Sequence, residues 1–432
     1  MKKETKKILF AFLTLLLTVA LCVALVGCNK KPGETTESSS TPLGTLPPED
    51  GSSTTGGDGS STPSNTTASG TTATTNGGAV EPPLTGDYTN PLTGQPTNNN
   101  LANTRPLAIV VDNVANSYAR QTGLDQADVL YETLVAPGIT RFLMVVADYT
   151  KVDSVCNIRS GRDYHLDLAA FHNAVLMCHG GSVTNNYDFY QLVENRLGNK
   201  DRIINTLYEA WFCQAESGAK YGTIAHRGER KDLQYDTLFK PAALTALLNS
   251  KNSSEAKYQA RFVRAGGSMD GAATQSLKFV AYGTSKSMAG ASNATNVTLH
   301  FTCQGATGTK LVSFQYSSAM DKYLRSQDGT AHVDAETGKQ LAFTNVIVLF
   351  TDVWNVETGI SNDPNMARMT TRGSGIGYYF YGGKVINITW SSLGNGLTLL
   401  DSNNNELQLA TGNTYIGYLD SGYIANGTPF WN

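Results

Sequence analysis

Between Cys156 and Leu168 the sequence CNIRSGRDYHLDL gathers Arg159, Arg162, Asp163, His165 and Asp167, and an apolar run then leads to the tetrad His179-Gly180-Gly181-Ser182. Two arginines at the start of a helix suit a carboxylate or a phosphate, because guanidinium forks hold such groups through paired N–H donors. A helix N-terminus adds free N–H groups and partial positive charge at the same place. Asp112 and Asn113 close an upstream apolar run, and loops at the carboxyl ends of strands are where open α/β sheets take their ligands. The residues expected to line a ligand site are therefore Asp112, Asn113, Arg159, Arg162, His179, Gly180, Gly181 and Ser182, with the glycines admitting backbone close to the ligand.

Two other chemistries compete for the same residues. Arg159 and Arg162 could pair with Asp112, Glu132 or Asp163 in an ion-pair network, the glycines then serving only a turn. Alternatively, Asp112 could orient His179 as a general base, with Ser182 as its nucleophile. The chain has no G-x-S-x-G elbow, S-x-x-K, H-E-x-x-H or Walker glycine loop, so Asp112 and His179 are catalytic candidates without a motif. His226, in IAHRGER, is a further candidate, whereas GSGIG (373–377) reads as a turn ahead of a strand. Cys156, Cys178, Cys213 and Cys303 form no C-x-x-C or zinc-like spacing, so no metal and no cofactor is expected; their pairing stays open.

These residues need elements to hold them. Pro106–Asn113 and Thr140–Tyr149 are continuous apolar runs, as buried strands would be. Gly123–Val135 places Leu124, Ala127, Leu130, Tyr131 and Leu134 at helical spacing and ends in Ala-Pro-Gly, which predicts a helix carrying Glu132. Further helices are expected at RDYHLDLAAF, Tyr187–Leu197 and Lys240–Ser250, and a strand at NAVLMCHGG. This order predicts an α/β N-terminal domain with a largely parallel sheet over residues 90–255, in which Arg141 would begin its strand at the end opposite Asp112. From about Ala260 the period becomes two, predicting a mainly β C-terminal domain over 256–432, α+β overall. It carries hairpin turns at Gly382-Gly383 and Asp401–Asn405 and one short helix near Ser317–Gln327.

The first residues settle where these domains sit. Lys2, Lys3, Lys6 and Lys7 precede an apolar run from Ile8 to Val26, the order of a secretory signal, and Leu25-Val-Gly-Cys28 resembles a lipobox. Residues 1–28 are expected to be a lipoprotein signal with Cys28 the lipidated residue, anchoring the protein outside the cytoplasmic membrane. Residues 29–89, rich in Ser, Thr, Gly and Pro, are expected to form a disordered tether with a mean reach of roughly 40 Å. The net charge of −3 and the lack of a basic block beyond the signal argue against nucleic acid as a partner.

The stretches NPLTG (90–94), RPLAIVVDN, ARQTGLDQADVLYETLV, GITRF, IRSGRDYHLDLA and HGGS resemble, in that order, the YerB-like lipoproteins, a domain-of-unknown-function family with N-terminal and C-terminal regions. NVIVLF, GSGIGYYFYGGKVINITW and LATGNTYIGYL continue the resemblance, which departs at AHRGER. It implies an extracytoplasmic lipoprotein, typical of Gram-positive bacteria, and supplies no activity. The function expected is binding or accessory, directed at an anionic cell-envelope polymer or a partner protein; the alternative is a peptidoglycan-related hydrolase or transferase.

Overall fold

A computed structural model describes residues 83–184, 187–197, 203–205, 225–227, 237–253, 256–262, 277–359, 365–393, 396–426 and 430–432. The signal segment, Cys28, most of the tether and Cys213 lie outside them, as does the side chain of His226. Of the expected tether only 83–89 are described; they are exposed, and Tyr88–Thr89 pair with Pro96–Thr97.

Leu107–Asn113 (β1) is buried at every position, which fits a run with no alternation of polarity. It is followed by Val129–Ala136 (β2), Ile139–Val146 (β3), the helix Asp163–Phe171 (α1), Val175–Cys178 (β4), the helix Phe189–Leu197 (α2) and Ile203–Asn205 (β5). The helix Pro241–Leu248 (α3) comes next, with proline in its first turn, where the missing N–H costs nothing. Thereafter nearly everything is strand: Ser292–Asn293 (β6), Asn296–Phe301 (β7), Lys310–Ser317 (β8), Lys322–Gln327 (β9), Thr330–Ala331 (β10) and Ala342–Phe343 (β11). Asn345–Thr351 (β12), Val353–Glu357 (β13), Asn365–Met369 (β14), Ser374–Tyr381 (β15), Lys384–Ser391 (β16), Thr398–Leu400 (β17) and Thr414–Asp420 (β18) complete the set used below.

An eleven-stranded mixed sheet runs β5-β4-β1-β3-β2-β18-β12-β15-β16-β6, with β17 beside β16. It takes strands from both sides of residue 255. The parallel pairs are β5–β4, β4–β1, β2–β18 and β18–β12, and every other pair is antiparallel. The largely parallel N-terminal sheet expected from the sequence is therefore corrected to a mixed one, in a molecule that is mostly β. The physical reason lies at Gly123–Val135, which is not a helix. Only Leu124–Gln126 makes a single helical turn, and β2 follows. A strand buried on both faces is apolar without alternation, so its residues fit a helical period by accident. Ala-Pro-Gly, read as a helix stop, is instead a two-residue hairpin turn: Ala136 pairs with Ile139, and Gly138 adopts φ +71°.

A second correction concerns Ser317–Gln327, which is the β8–β9 hairpin with Asp321 at φ +50° rather than a helix. Its inward residues Tyr323, Arg325 and Gln327 are bulky or polar while Leu324 is only half buried, so the strand's polarity is inverted relative to a simple core pattern. GSGIG is not a turn ahead of a strand either, since Ser374, Gly375, Ile376 and Gly377 are already in β15. The turn at Gly382-Gly383 is as expected, with both glycines at positive φ (+60° and +71°) between paired Tyr381 and Lys384.

The two faces of the large sheet are covered differently. On one, α1 docks through His165 Nε2 to Thr133 Oγ1 (3.1 Å) and His172 Nε2 to Tyr131 Oη (2.7 Å). On the other lies a five-stranded antiparallel sheet, β7-β8-β9-β10 with β11 beside β9, where Phe314 meets Tyr415 at 4.8 Å between ring centres.

Candidate functional site

β1 and β4 pair in parallel only over Leu107–Ile109 and Val175–Met177. Beyond that point they part, and residues 157–161 fill the gap as a short extended wedge. Asp112 N–H donates to Asn157 O and Arg159 N–H to Val110 O on one side, while His179 N–H donates to Arg159 O and Gly161 N–H to Gly180 O on the other, each at 2.9 Å. The segment quoted at the outset is thus held by backbone bonds at the carboxyl ends of two parallel strands.

Because β3 runs antiparallel to β1, Arg141 pairs with Asp112 and lies at the same end, not the opposite one. Arg141 Nε is 3.9 Å from Asp112 Oδ1, and Arg159 Nε is 3.3 Å from Asp112 Oδ2. The Asp112 side chain is 0% exposed, and neither of its oxygens accepts a hydrogen bond. Arg141 Nη1 donates to Ser160 O (2.6 Å) and Arg162 Nη1 to Gly161 O (3.2 Å), so both guanidinium groups lie along the wedge. Burial pulls the Arg141 guanidinium down to about 9, Arg162 and Arg159 add repulsion, and Asp112 opposes the shift.

The backbone N–H of Arg162, at the N-cap of α1, donates to His165 Nδ1 (3.1 Å), which leaves the His165 proton on Nε2 for Thr133 Oγ1. Burial first, then Arg141 and Arg162, hold His165 well below the usual imidazole range, so it stays neutral. Next to the arginines, Asp163 pairs with Arg368 Nη2 (3.0 Å) from β14 and accepts from Tyr187 Oη (3.0 Å). One turn on, Asp167 binds Arg372 Nε (3.1 Å) and Thr371 Oγ1 (2.7 Å).

The structure brings Asp112, Arg159 and Arg162 together and adds Arg141, His165 and Arg368, which sequence reasoning left out. The hairpin at Pro137-Gly138 was the available signal for Arg141. Asn113 does not join them. Neighbouring residues of a strand face opposite ways, and Asn113 Nδ2 donates instead to Glu132 Oε1 (3.1 Å) and Thr140 Oγ1 (2.8 Å). Glu132, on β2 rather than a helix, pairs with Arg325 (2.6 Å) and not with Arg159 or Arg162. Since Asp112 accepts no hydrogen bond, it does not orient His179 as a general base here. Ser182 is half-buried, and its carbonyl accepts from Phe189 N–H.

The glycines have a packing role. A Cβ on Gly181 would lie 2.0 Å from Phe189 Cδ1, and one on Gly161 2.8 Å from Phe189 Cζ. The paired Gly161 and Gly181 therefore let the buried Phe189 ring sit against the wedge. Gly181→Ala should lower stability by about 1–3 kcal/mol, the usual cost of overpacking, as read from the shift of a urea midpoint at constant slope. An unchanged midpoint would remove that role.

Cys156, Cys178 and Cys303 are buried, and no group of three or more His, Cys, Asp or Glu suited to a metal occurs among the described residues. A surface cavity of about 410 Å³ lies elsewhere, lined by Gly94, Lys278, Phe279, Tyr282 and Glu406 among others.

Residues 92–218 match the model described as "Protein of unknown function (DUF3048) N-terminal domain", and residues 300–416 match its C-terminal domain. The chain is 25% identical over 342 residues to "Putative lipoprotein YerB" of Bacillus subtilis strain 168, covering 78% of this chain and 88% of that protein. The crystal structure of YerB from Bacillus subtilis superimposes with a TM-score of 0.56 at 21% identity, over 77% of this chain and 96% of that one, a likeness of fold.

Proposed function

The chain belongs to the DUF3048 family, and on that premise we propose that it is a membrane-anchored extracytoplasmic lipoprotein that binds an anionic group of the cell envelope in its arginine site. The printed name of the Bacillus subtilis relative supports the anchor, as does the lipobox-like ending at Cys28. No helix among the described residues is long and apolar enough to cross a membrane. Cys28→Ser should move the protein from the membrane fraction to the medium, or leave it as an unprocessed precursor. Fractionation with a mobility shift on gels checks this, and a variant that stays in the membrane at the mature size would contradict it.

The observation that carries the binding reading is the approach of Arg141 and Arg159 to the buried Asp112 carboxylate at the carboxyl ends of β1 and β4, with Arg162 beside Arg141 along the wedge. Arg159 is the opening of that site, with its side chain 25% exposed. The ligand is an anionic wall polymer or an acidic partner in the envelope. The test is co-sedimentation of the full chain, in detergent, with sacculi purified from a Gram-positive bacterium. Pelleting should saturate and should weaken steeply as salt is raised from 0.05 M, since added ions screen charge contacts over roughly 10 Å at 0.1 M. Pelleting indifferent to salt would speak against a charge-based site.

A further inference from the structure

We infer that the surface cavity lined by Lys278 and Gln408 is a second binding site, for an uncharged saccharide segment, which shares no lining residue with the arginine site. Two short ladders and the turn after one of them line it. In the first ladder Lys278–Phe279 runs parallel to Gln408–Leu409. Leu277, Leu407 and Leu409 are buried, so alternation along these segments turns Lys278, Glu406 and Gln408 to the outer face. In the second, Tyr88–Thr89 pairs with Pro96–Thr97, and the directly opposed Thr89 and Pro96 both line the cavity. Val280–Tyr282, leading out of the first ladder, supplies the remaining side.

The lining is balanced in charge and mixed in hydrogen bonding. Lys278 can only donate and Glu406 only accept, while the Gln408 amide and the Thr89 hydroxyl do both. These four side chains hold no hydrogen bond or ion pair among the described residues. The charges of Lys278 and Glu406 cancel, so neither an anion nor a cation is favoured there. A hydroxyl group donates and accepts at once and can use all four, whereas a peptide divides those roles between its N–H and C=O groups. Two rings add an apolar part. Tyr282 is 41% exposed, and its Oη accepts from Leu84 N–H at 2.9 Å, which holds the ring in place. Phe279 is half-buried, and Gly94, at φ +68°, lets the neighbouring turn rest on it, since a Cβ there would lie 2.6 Å from Phe279 Cβ. A sugar offers an apolar C–H face to such rings and a rim of hydroxyls to the polar groups. The volume of about 410 Å³ is that of a small-molecule pocket, enough for a short segment of a glycan.

Saturation-transfer NMR of the full chain, in a detergent without a sugar headgroup and with the uncharged N-acetylglucosamine tetramer as probe, tests the inference. Transfer to the tetramer should saturate in the millimolar range. The affinity should change by less than about twofold as salt rises from about 0.05 to 0.5 M, because no charge contact is there to be screened. Tyr282→Ala and Gln408→Ala, both at exposed positions, should each weaken binding about tenfold while leaving the melting temperature at the wild-type value. Tyr282→Phe keeps the ring and should bind within about threefold of wild type. Arg159→Ala should leave tetramer binding unchanged, which separates this site from the arginine site. Absence of transfer, or wild-type affinity in both alanine variants, would overturn the inference. So would loss of binding in Arg159→Ala alone, or saturable transfer to the tetrapeptide Ala-Glu-Lys-Ala in place of the sugar, which would make the cavity a peptide site.

Discussion

Glu132→Ala should cost the protein roughly 3–5 kcal/mol, the effect of stripping one partner from a buried ion pair. Both Glu132 and Arg325 are 0% exposed and meet at 2.6 Å. Around them a closed circuit of hydrogen bonds joins the two halves of the chain. Asn113 Nδ2 donates to Glu132 Oε1, and Gln121 Nε2 donates to Asn113 Oδ1 (3.2 Å). His332 Nε2 donates to Gln121 Oε1 (2.9 Å), Arg325 donates to His332 Nδ1, and Arg325 Nη2 returns to Glu132 Oε2. Tyr415 Oη and Thr140 Oγ1, each at 2.7 Å, complete the shell of the carboxylate. Arg can only donate, so His332 must accept at Nδ1 and carry its proton at Nε2; burial and Arg325 keep it neutral. Removing the carboxylate leaves a guanidinium buried between two sheets with no counter-charge. Since whole domains are stable by only about 5–15 kcal/mol, the loss should be plain in a urea titration. Glu132→Gln, which keeps the shape and some hydrogen bonds, should fall between. A loss below about 1 kcal/mol in Glu132→Ala would show that the circuit does not hold the two sheets together.

The second large effect is on acid stability and involves two buried groups of opposite sign. Burial depresses His172 from 6.5 to about 4, so its contribution to stability is present above pH 6.5 and is lost as pH falls through 4. Burial raises Asp128 from 3.8 to about 6, against hydrogen bonds from Ala147 N–H and Asn90 Nδ2, so its contribution is full below pH 3.8 and is lost as pH rises through 6. Each shift is worth about 3 kcal/mol at the limit, and between pH 7 and 4 the two nearly cancel in the wild type. Single replacements should uncouple them. Asp128→Asn should lose about 2–3 kcal/mol more than wild type on going from pH 7 to 4, and His172→Gln about as much less. Urea midpoints at the two pH values measure this. Parallel pH profiles for all three proteins would show that neither group is held as the structure has it.

What the sequence revealed depended on whether local pattern and final environment agree. α1 was legible because its arginine, aspartate and apolar residues sit where a capped, packed helix needs them, and β1 because an apolar run of that length suits a central strand. β2 was not, because a strand buried on both faces carries no alternation to distinguish it from a helix. β9 failed for another reason: its inward side chains are Tyr323, Arg325 and Gln327, and Arg325 is buried only because Glu132 waits across the interface. The candidate site was legible in part. Asp112, Arg159 and Arg162 are suggested by their places at a strand end and a helix start, and Arg141 by the single hairpin at Pro137-Gly138. Arg368 could not be found, since its partner Asp163 is 205 residues away in sequence and nothing local marks the pair. In sequence the glycines of the tetrad suit the close approach of a ligand, yet the Phe189 ring explains Gly181.

The proposed function requires the arginine site at the ends of β1 and β4 to be what grips the envelope. The most direct test is co-sedimentation with sacculi of the wild-type chain and an Arg159→Ala/Arg162→Ala variant, both in detergent and matched by circular dichroism and urea midpoint. The wild type should pellet and the folded variant should stay in the supernatant. A variant that pellets as well as the wild type would place the wall contact elsewhere on the molecule and contradict the claim.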